Sequence, residues 1–271
     1  MFDPWVPNKT GMRLLNKMKN TIWRRAELIV AFNLYCKLPF GKINSRNKAV
    51  TELASVIGRS TSAVALKLAN FARLDPALQE RNISGMSHGS KGESEIWNEF
   101  DGNWEELAYQ SEQILAQFKN DTVENVAGII KEDLPAEGKE REVLVMARVN
   151  QSFFRKTILA SYNNRCCITG ISVPELLVAS HIVPWAVDKK NRMNPHNGLC
   201  LNALHDKAFD AGLITITSDY MVKVSETLKS QQIGTNSFFT LYESKRIILP
   251  QRFLPSAEFI EYHNNHVFLD R

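Results

Sequence analysis

Apolar residues recur at helical spacing through the first third of the chain. The stretch "TIWRRAELIVAFNLY" (residues 21–35) has apolar side chains at helical intervals and precedes Pro39 and Gly41, which predicts one helix. In the next stretch, "NKAVTELASVIG", apolar residues lie at i, i+3, i+4 and i+7, which predicts an amphipathic helix that ends at Gly58. Its apolar face consists of Val50, Leu53, Ala54 and Ile57.

A further helix is expected in "AVALKLANFARLDP", directly after a tight turn. The segment "RSTS" offers Ser60, Thr61 or Ser62 as its N-cap. Two helices joined by a tight turn, with basic and amide side chains pointing outward from the second, are typical of a helix-turn-helix, which "LASVIGRSTSAVALKLANF" resembles. The alternative is a plain helical hairpin with a solvated face. The candidate DNA contacts are Arg59, Lys67, Asn70 and Arg73.

The middle of the chain reads as a helical connector. Residues 80–95 are rich in Gly, Ser and charge, which predicts a linker or long loop. The acidic stretch "IWNEFDGNWEELAYQSEQILAQFKN" then predicts helix, and "DLPAEGKERE" interrupts the pattern. We interpret the aromatic side chains of this stretch as packing surface.

The pattern changes again from Arg148. "RVNQSFFRKTILASY" predicts a helix, "ELLVASHIVPW" a strand that ends near His181, and "NGLCLNALHDKAF" a helix that begins near Asn197 or Leu199. "GLITIT" and "YMVKVS" alternate in polarity and predict a hairpin. The expected fold class is therefore α+β. It divides into a helix-turn-helix-like domain (residues 1–79), an acidic helical connector (80–145) and a C-terminal domain with an extension (146–271).

Composition places the chain among globular proteins. It has 271 residues, of which 44% are hydrophobic and 23% charged. No run approaches the ~18 apolar residues of a membrane span, and the first residues lack a secretory signal pattern, so we expect a cytoplasmic protein without a membrane partner. The cysteines are expected to be reduced, since a core of this size needs no disulfides; they are Cys36, Cys166, Cys167 and Cys200.

The charges are unevenly distributed along the chain. Residues 1–75 contain thirteen basic and four acidic side chains, whereas residues 76–145 contain six basic and fifteen acidic ones. Residues 146–271 contain fourteen basic and ten acidic ones. This distribution suggests that both ends of the chain contact a polyanion while the acidic middle separates them. The alternative is an ordinary solvated surface.

The segment from about Arg148 to Ser225 resembles the HNH nuclease family, whose core is a ββα-metal finger. The segments that carry the resemblance are "RCCITG", "ASHIVPW" and "RMNPHNGLCLNALHDKAFDAGLITI". They are most similar to a bacterial subgroup of restriction-type endonucleases, and the tail "ILPQRFLPSAEFIEYHNNHVF" looks like that subgroup's C-terminal extension.

The resemblance implies a role for each of three catalytic residues. His181 would be the general base, since an imidazole titrates near neutral pH. Asn197 would fix the loop that orients this base, and His205 would bind a divalent cation. Arg192, which is basic and close to the site in sequence, is a candidate phosphate contact.

The chain departs from the family in its metal ligands. Many members place Asp or His immediately before the base, where this chain has Ser180. Either water fills this position or another carboxylate reaches it, with Asp210 as the nearest candidate. Members with a structural zinc carry two Cys-x-x-Cys knuckles. Here Leu201 and Leu204 occupy the helix-side positions and the first knuckle is reduced to Cys166 and Thr169, so we expect apolar packing and no structural zinc.

Two functions follow from these residues. The first is a metal-dependent, restriction-like endonuclease acting on double-stranded DNA, with Mg²⁺ as the expected cofactor and Mn²⁺ or Ni²⁺ as alternatives. One finger per chain would nick, and a double-strand break would need a homodimer or two successive cuts. The alternative is a non-catalytic DNA-binding or regulatory protein on an HNH scaffold, which Ser180 favours.

Overall fold

The computed structural model describes residues 22–81, 89–230 and 238–269. The expectations for residues 1–21 and for the linker segment 82–88 lie outside the described residues. Within the described part, no helix is both long and apolar enough to cross a membrane.

The N-terminal half is helical and is organised around one central helix. Helix α1 (Arg25–Lys37) is buried on nearly all sides, which is typical of a helix surrounded by others. It packs against α3 (Thr61–Ala72), α5 (Lys91–Phe100), α6 (Trp104–Lys119) and α8 (Lys139–Ser161). The shorter helices of this half are α2 (Lys48–Ile57), α4 (Pro76–Gln79) and α7 (Val123–Ala127).

The predicted pair of helices at residues 48–72 is present. The Asn47 side chain caps α2, and Gly58 ends it with a φ of 67°, a conformation that favours glycine. The Ser60 hydroxyl accepts from the Ala63 N–H and caps α3. The predicted apolar face of α2 is buried, which confirms the helical periodicity.

The basic face of α3 does not point outward as expected. Lys67 and Asn70 are 7% and 8% exposed, and both donate hydrogen bonds to the buried Glu93 carboxylate of α5. Arg59 donates to Glu27 of α1 over 2.8 Å, with both side chains nearly inaccessible. The expectation that α3 presents these groups to DNA is wrong in this respect, because acidic residues of neighbouring helices bind them within the fold.

The acidic stretch is part of the core and not a detached connector. The buried apolar residues form one continuous cluster from α1 to the C-terminal residues. Acidic residues of α5 and α6 pair with basic residues of the N-terminal helices, as in Arg25–Glu99 at 2.5 Å and Lys37–Glu112 at 2.9 Å. The predicted boundary at 145/146 falls within α8, which is a continuous helix. The three-domain division stays a prediction.

The C-terminal half contains two small antiparallel sheets. Strand β1 (Leu177–His181) pairs with β2 (Gly198–Asn202), with His181 opposite Gly198, and helix α9 (Ala203–Asp210) follows. The predicted hairpin is confirmed as β3 (Ile214–Ile216) and β4 (Val222–Val224). Helices α10 (Glu226–Lys229) and α11 (Ala257–His266) come next. The fold is thus a mixture of helices and small antiparallel sheets.

The helix expected to begin near Asn197 begins later. Residues 198–202 form β2, and α9 begins at Ala203. The Asn202 side chain caps this helix by accepting a hydrogen bond from the His205 N–H. All of β2 is buried. A short, continuous apolar run of this kind fits a buried strand as well as a helix, which is why periodicity alone gave the wrong boundary.

A buried arginine ties the C-terminal residues to the central helix. Arg252 is fully buried and donates hydrogen bonds to the carbonyls of Tyr35, Cys36 and Leu38 at the C-terminal end of α1. A cation at a helix C-terminus satisfies carbonyls that have no partner within the helix. The four cysteines are buried and free, as predicted.

Candidate functional site

The candidate site lies where β1 ends against α8 and α9. His181 stacks on the Phe154 ring of α8 at 4.0 Å between ring centroids, and the Trp185 ring meets it edge-on at 5.4 Å. Gly198, opposite His181, permits this arrangement, since a Cβ there would collide with Ile158 and press on Phe154. The strand pair therefore sits close to α8, and the imidazole is clamped between two aromatic rings.

A backbone contact fixes the tautomer of His181. Its Nε2 lies 2.8 Å from the carbonyl oxygen of Arg192, and a carbonyl can only accept, so Nε2 is the protonated nitrogen and Nδ1 carries the lone pair. Burial lowers the pKa of His181 below its usual 6.5, while the Arg192 carbonyl and the charge of Asp206 oppose the shift. Burial therefore favours the neutral imidazole.

The Asn197 side chain fastens the loop that follows β1. It is 1% exposed, accepts from the Val183 N–H over 2.8 Å, and donates to the carbonyls of Val183 and Asn191 over 3.3 Å. These bonds join the two ends of the loop that contains the Arg192 carbonyl. Asn197 therefore acts on His181 through the backbone.

Arg192 is held beside the site without a carboxylate partner. Its Nε donates to the Trp185 carbonyl over 2.8 Å, and its guanidinium lies 4.7 Å from the Trp185 ring centroid. No ion pair of Arg192 occurs among the described residues. Its terminal nitrogens are therefore available to an anion.

His205 lies almost completely inside the fold. It is 3% exposed, its Nδ1 lies 3.0 Å from Asn202 Oδ1, and its ring packs beside Phe239 and Tyr242. Burial lowers its pKa, and the Phe238 backbone partly opposes the shift. The metal-binding role expected for His205 stays a prediction, and its imidazole is largely enclosed by these contacts.

The α9 residue whose charge acts on His181 is Asp206. The charges of His181 and Asp206 influence each other, and Ser180 also favours the ionised carboxylate. Burial nevertheless raises the pKa of Asp206, and burial together with the charge of Asp206 raises that of Asp210. Residues four apart share a helix face, which brings the two carboxylates together. Asp210 was predicted from the sequence and Asp206 was not, although their i, i+4 spacing indicates one shared helix face.

Ser180 supplies a second oxygen next to Asp206. It is 3% exposed, and its hydroxyl forms no hydrogen bond of ordinary geometry within the described part of the chain. The same hydroxyl acts on Asp206, whose ionised form it favours as a hydrogen-bond donor. Within residues 22–81, 89–230 and 238–269, no three His, Cys, Asp or Glu side chains form a group arranged to hold a metal ion.

The positions compared with zinc knuckles are joined by polar contacts. Asn202 Nδ2 donates to Thr169 Oγ1 over 3.2 Å and to Cys166 Sγ over 3.7 Å, while Asn202 Oδ1 meets His205. Leu204 is exposed and takes no part. The expectation of apolar packing is therefore wrong for Leu204, whereas Leu201 is fully buried in the hydrophobic core, as predicted. A hydrogen-bonded group connects the turn at residues 166–169 to the start of α9.

A shallow cavity of about 230 Å³ opens beside His181. Gln151, Phe154, Arg155 and Trp185 contribute to its walls together with β1. The Arg155 guanidinium is fixed by the Leu177 carbonyl at 2.8 Å, so this side chain positions β1 against α8. The cavity gives a substrate access to the imidazole.

Comparison with known proteins identifies the domain to which this site belongs. The family model described as HNH endonuclease matches residues 166–217, which include His181, Asn197 and α9. No curated protein matches the chain. The match confirms, for residues 166–217, the resemblance found in the sequence.

Proposed function

We propose that the chain is a DNA endonuclease that hydrolyses phosphodiester bonds with His181 as the general base. The observation that carries this proposal is the bond between His181 Nε2 and the Arg192 carbonyl, which leaves the basic Nδ1 for a water molecule. The match to the HNH endonuclease family supports the reaction class. We further propose a restriction-like role in defence against foreign or modified DNA.

The environment of His181 suits proton abstraction near neutral pH. A general base must be unprotonated at working pH, and the lowered pKa keeps this imidazole neutral. Phe154 and Trp185 limit its rotation, while the backbone bond holds its tautomer. Positioning a base in this way reduces the entropy cost of reaching the transition state.

In place of His205, we assign the metal-binding role to Ser180, Asp206 and Asp210. The donors are oxygen atoms, the ligands that Mg²⁺ and Mn²⁺ prefer, whereas imidazole ligands would also suit Ni²⁺. The Ser180 hydroxyl beside Asp206 and the raised pKa of each carboxylate fit a position that gains from a bound cation. A divalent ion there would stabilise negative charge on the phosphate and on the leaving oxygen.

Arg192 would contact a phosphate of the same strand. Its guanidinium is oriented by the Trp185 carbonyl and ring, so the terminal nitrogens lose little entropy on binding. Because its carbonyl also holds His181, phosphate binding and base orientation would depend on one residue. Double-stranded DNA is the proposed substrate, and a homodimer is the proposed route to cutting both strands.

A nicking assay tests the proposal directly. Supercoiled plasmid, plain and base-modified, is incubated with wild type and His181→Ala in Mg²⁺, Mn²⁺ and Ni²⁺. The exposed His266 gives a matched control, His266→Ala. We expect wild type and the control to nick with Mg²⁺ or Mn²⁺, and His181→Ala to be slower by about 10²–10⁴-fold. Equal inactivity of all proteins on every substrate would favour the non-catalytic, DNA-binding alternative.

A further inference from the structure

A cavity with a volume of about 600 Å³ lies apart from the cavity beside His181. It is bounded by the end of α4, by the C-terminal end of α8 and by residues 248–254. Its lining shares no residue with the cavity beside His181. The volume is within the range of about 300–1,000 Å³ typical of small-molecule sites.

The charged groups of this cavity favour an anionic ligand. Arg81 and Arg165 both line it, against one carboxylate, Glu80. Arg165 is exposed, and its side chain has no ion pair or hydrogen bond with any described residue; only its backbone N–H is bonded, to the Tyr162 carbonyl. Arg81 makes one long bond, of 3.4 Å, to the Gln251 carbonyl. Guanidinium groups bind phosphate in a bidentate geometry, so the pair provides a phosphate position.

The remaining walls suit a heterocycle. Ile248, Leu249 and Leu254 supply an apolar surface, and Gln251 supplies an amide. Gln251 is fixed through its backbone, since its N–H donates to the Ser161 carbonyl over 2.8 Å. Its side-chain Oε1 is buried without a hydrogen-bond partner among the described residues. Buried amide oxygens are normally paired, and an amide edge matches the hydrogen-bonding edge of a nucleobase.

We propose that this cavity is a second binding site, which takes a nucleotide with its phosphate on Arg81 and Arg165 and its base against Gln251. The ligand is either a free nucleotide or one nucleotide unit of a DNA strand, since both present the same chemistry. The site is independent of cleavage, because none of its residues contributes to the His181 site.

Calorimetry and thermal unfolding of the full chain test this site. The probes are the four 5′-mononucleotides, inorganic phosphate and a short single-stranded oligonucleotide. The variants are Arg165→Ala and Gln251→Leu, with the exposed Lys48→Ala as control. We expect at least one nucleotide to bind and to raise the melting temperature by roughly 5 °C at a hundred times Kd. Arg165→Ala should weaken that binding about tenfold or more, and the control should not.

The probes separate the two sources of the nucleotide. Binding of a mononucleotide that is lost in both variants supports a site for a free nucleotide. Binding of the oligonucleotide alone, with the same losses, supports a site for a unit of the DNA strand. The proposal is overturned if neither binds, if inorganic phosphate binds as tightly as any nucleotide, or if both variants bind like wild type. Because the readout is binding, failure here leaves the nuclease proposal intact.

Discussion

Helix α3 and the loop after β1 both carry basic residues that the sequence assigned to DNA, but the fold treats them differently. On α3, Lys67 meets the buried Glu93 carboxylate, and Arg59 nearby meets Glu27. In the loop, Arg192 is oriented by a carbonyl and an aromatic ring and keeps its charge uncompensated within the described chain. A basic residue therefore indicates a partner only when no acidic residue of the fold has already bound it.

This difference explains the uneven charge along the chain. The acidic residues of α5 and α6 pair with basic residues of the N-terminal helices, so the two segments neutralise each other inside one structure. The expectation of a spacer between two polyanion-binding ends is therefore not supported for these residues. The net charge of a segment predicts its long-range electrostatic field only when the charges that form ion pairs within the fold are left out of the count.

The largest effect is expected from removing the acid at the centre of the α3 cluster. Glu93→Ala leaves Lys67 buried without its counter-charge and should lower the free energy of unfolding by about 3–5 kcal/mol. Denaturant unfolding measures this loss. Glu95→Ala on the same helix breaks only an exposed pair with Lys91 and should cost less than about 0.5 kcal/mol. Equal losses in the two variants would show that the cluster is not a buried one.

A second prediction compares the two regions in DNA binding. In a His181→Ala background, Arg192→Ala should weaken duplex binding and reduce the slope of log K against log salt by about 0.9, the value for one lost phosphate contact. The double variant Lys67→Met/Glu93→Gln removes the buried pair together and should leave affinity and slope unchanged. If the double variant is folded but binds DNA more weakly, α3 contacts DNA after all.

A smaller effect is expected in the titration of His181. Its pKa should lie below 6.5, because burial disfavours the charged imidazole. Asp206→Asn removes a negative charge that raises this pKa, so the pKa should fall further in that variant. NMR titration of the imidazole measures both values, with Asp219→Asn as the control. An increase in the Asp206→Asn variant would mean that the two groups do not face each other.

The parts of the fold that depend only on local sequence patterns could be predicted from the sequence. The helix at residues 48–57, its end at Gly58 and the β3–β4 hairpin depend on local periodicity and turn residues. Tertiary packing decides that residues 198–202 form strand β2 and that His205 is buried. Sequence periodicity contains no information about this packing. Asp206 was not predicted from the sequence, although its i, i+4 spacing to Asp210 indicates that the two side chains share a helix face.

The central claim is that α9 serves the site through Asp206 and not through His205. The roles of these two residues are separated by measuring plasmid cleavage in the variants Asp206→Asn and His205→Asn. Thermal unfolding gives the folded fraction, so that the rate is expressed per folded molecule. We expect Asp206→Asn to slow cleavage by about a hundredfold or more, whereas His205→Asn loses stability but retains most of the wild-type rate. Full activity in Asp206→Asn together with inactivity of folded His205→Asn would contradict the account.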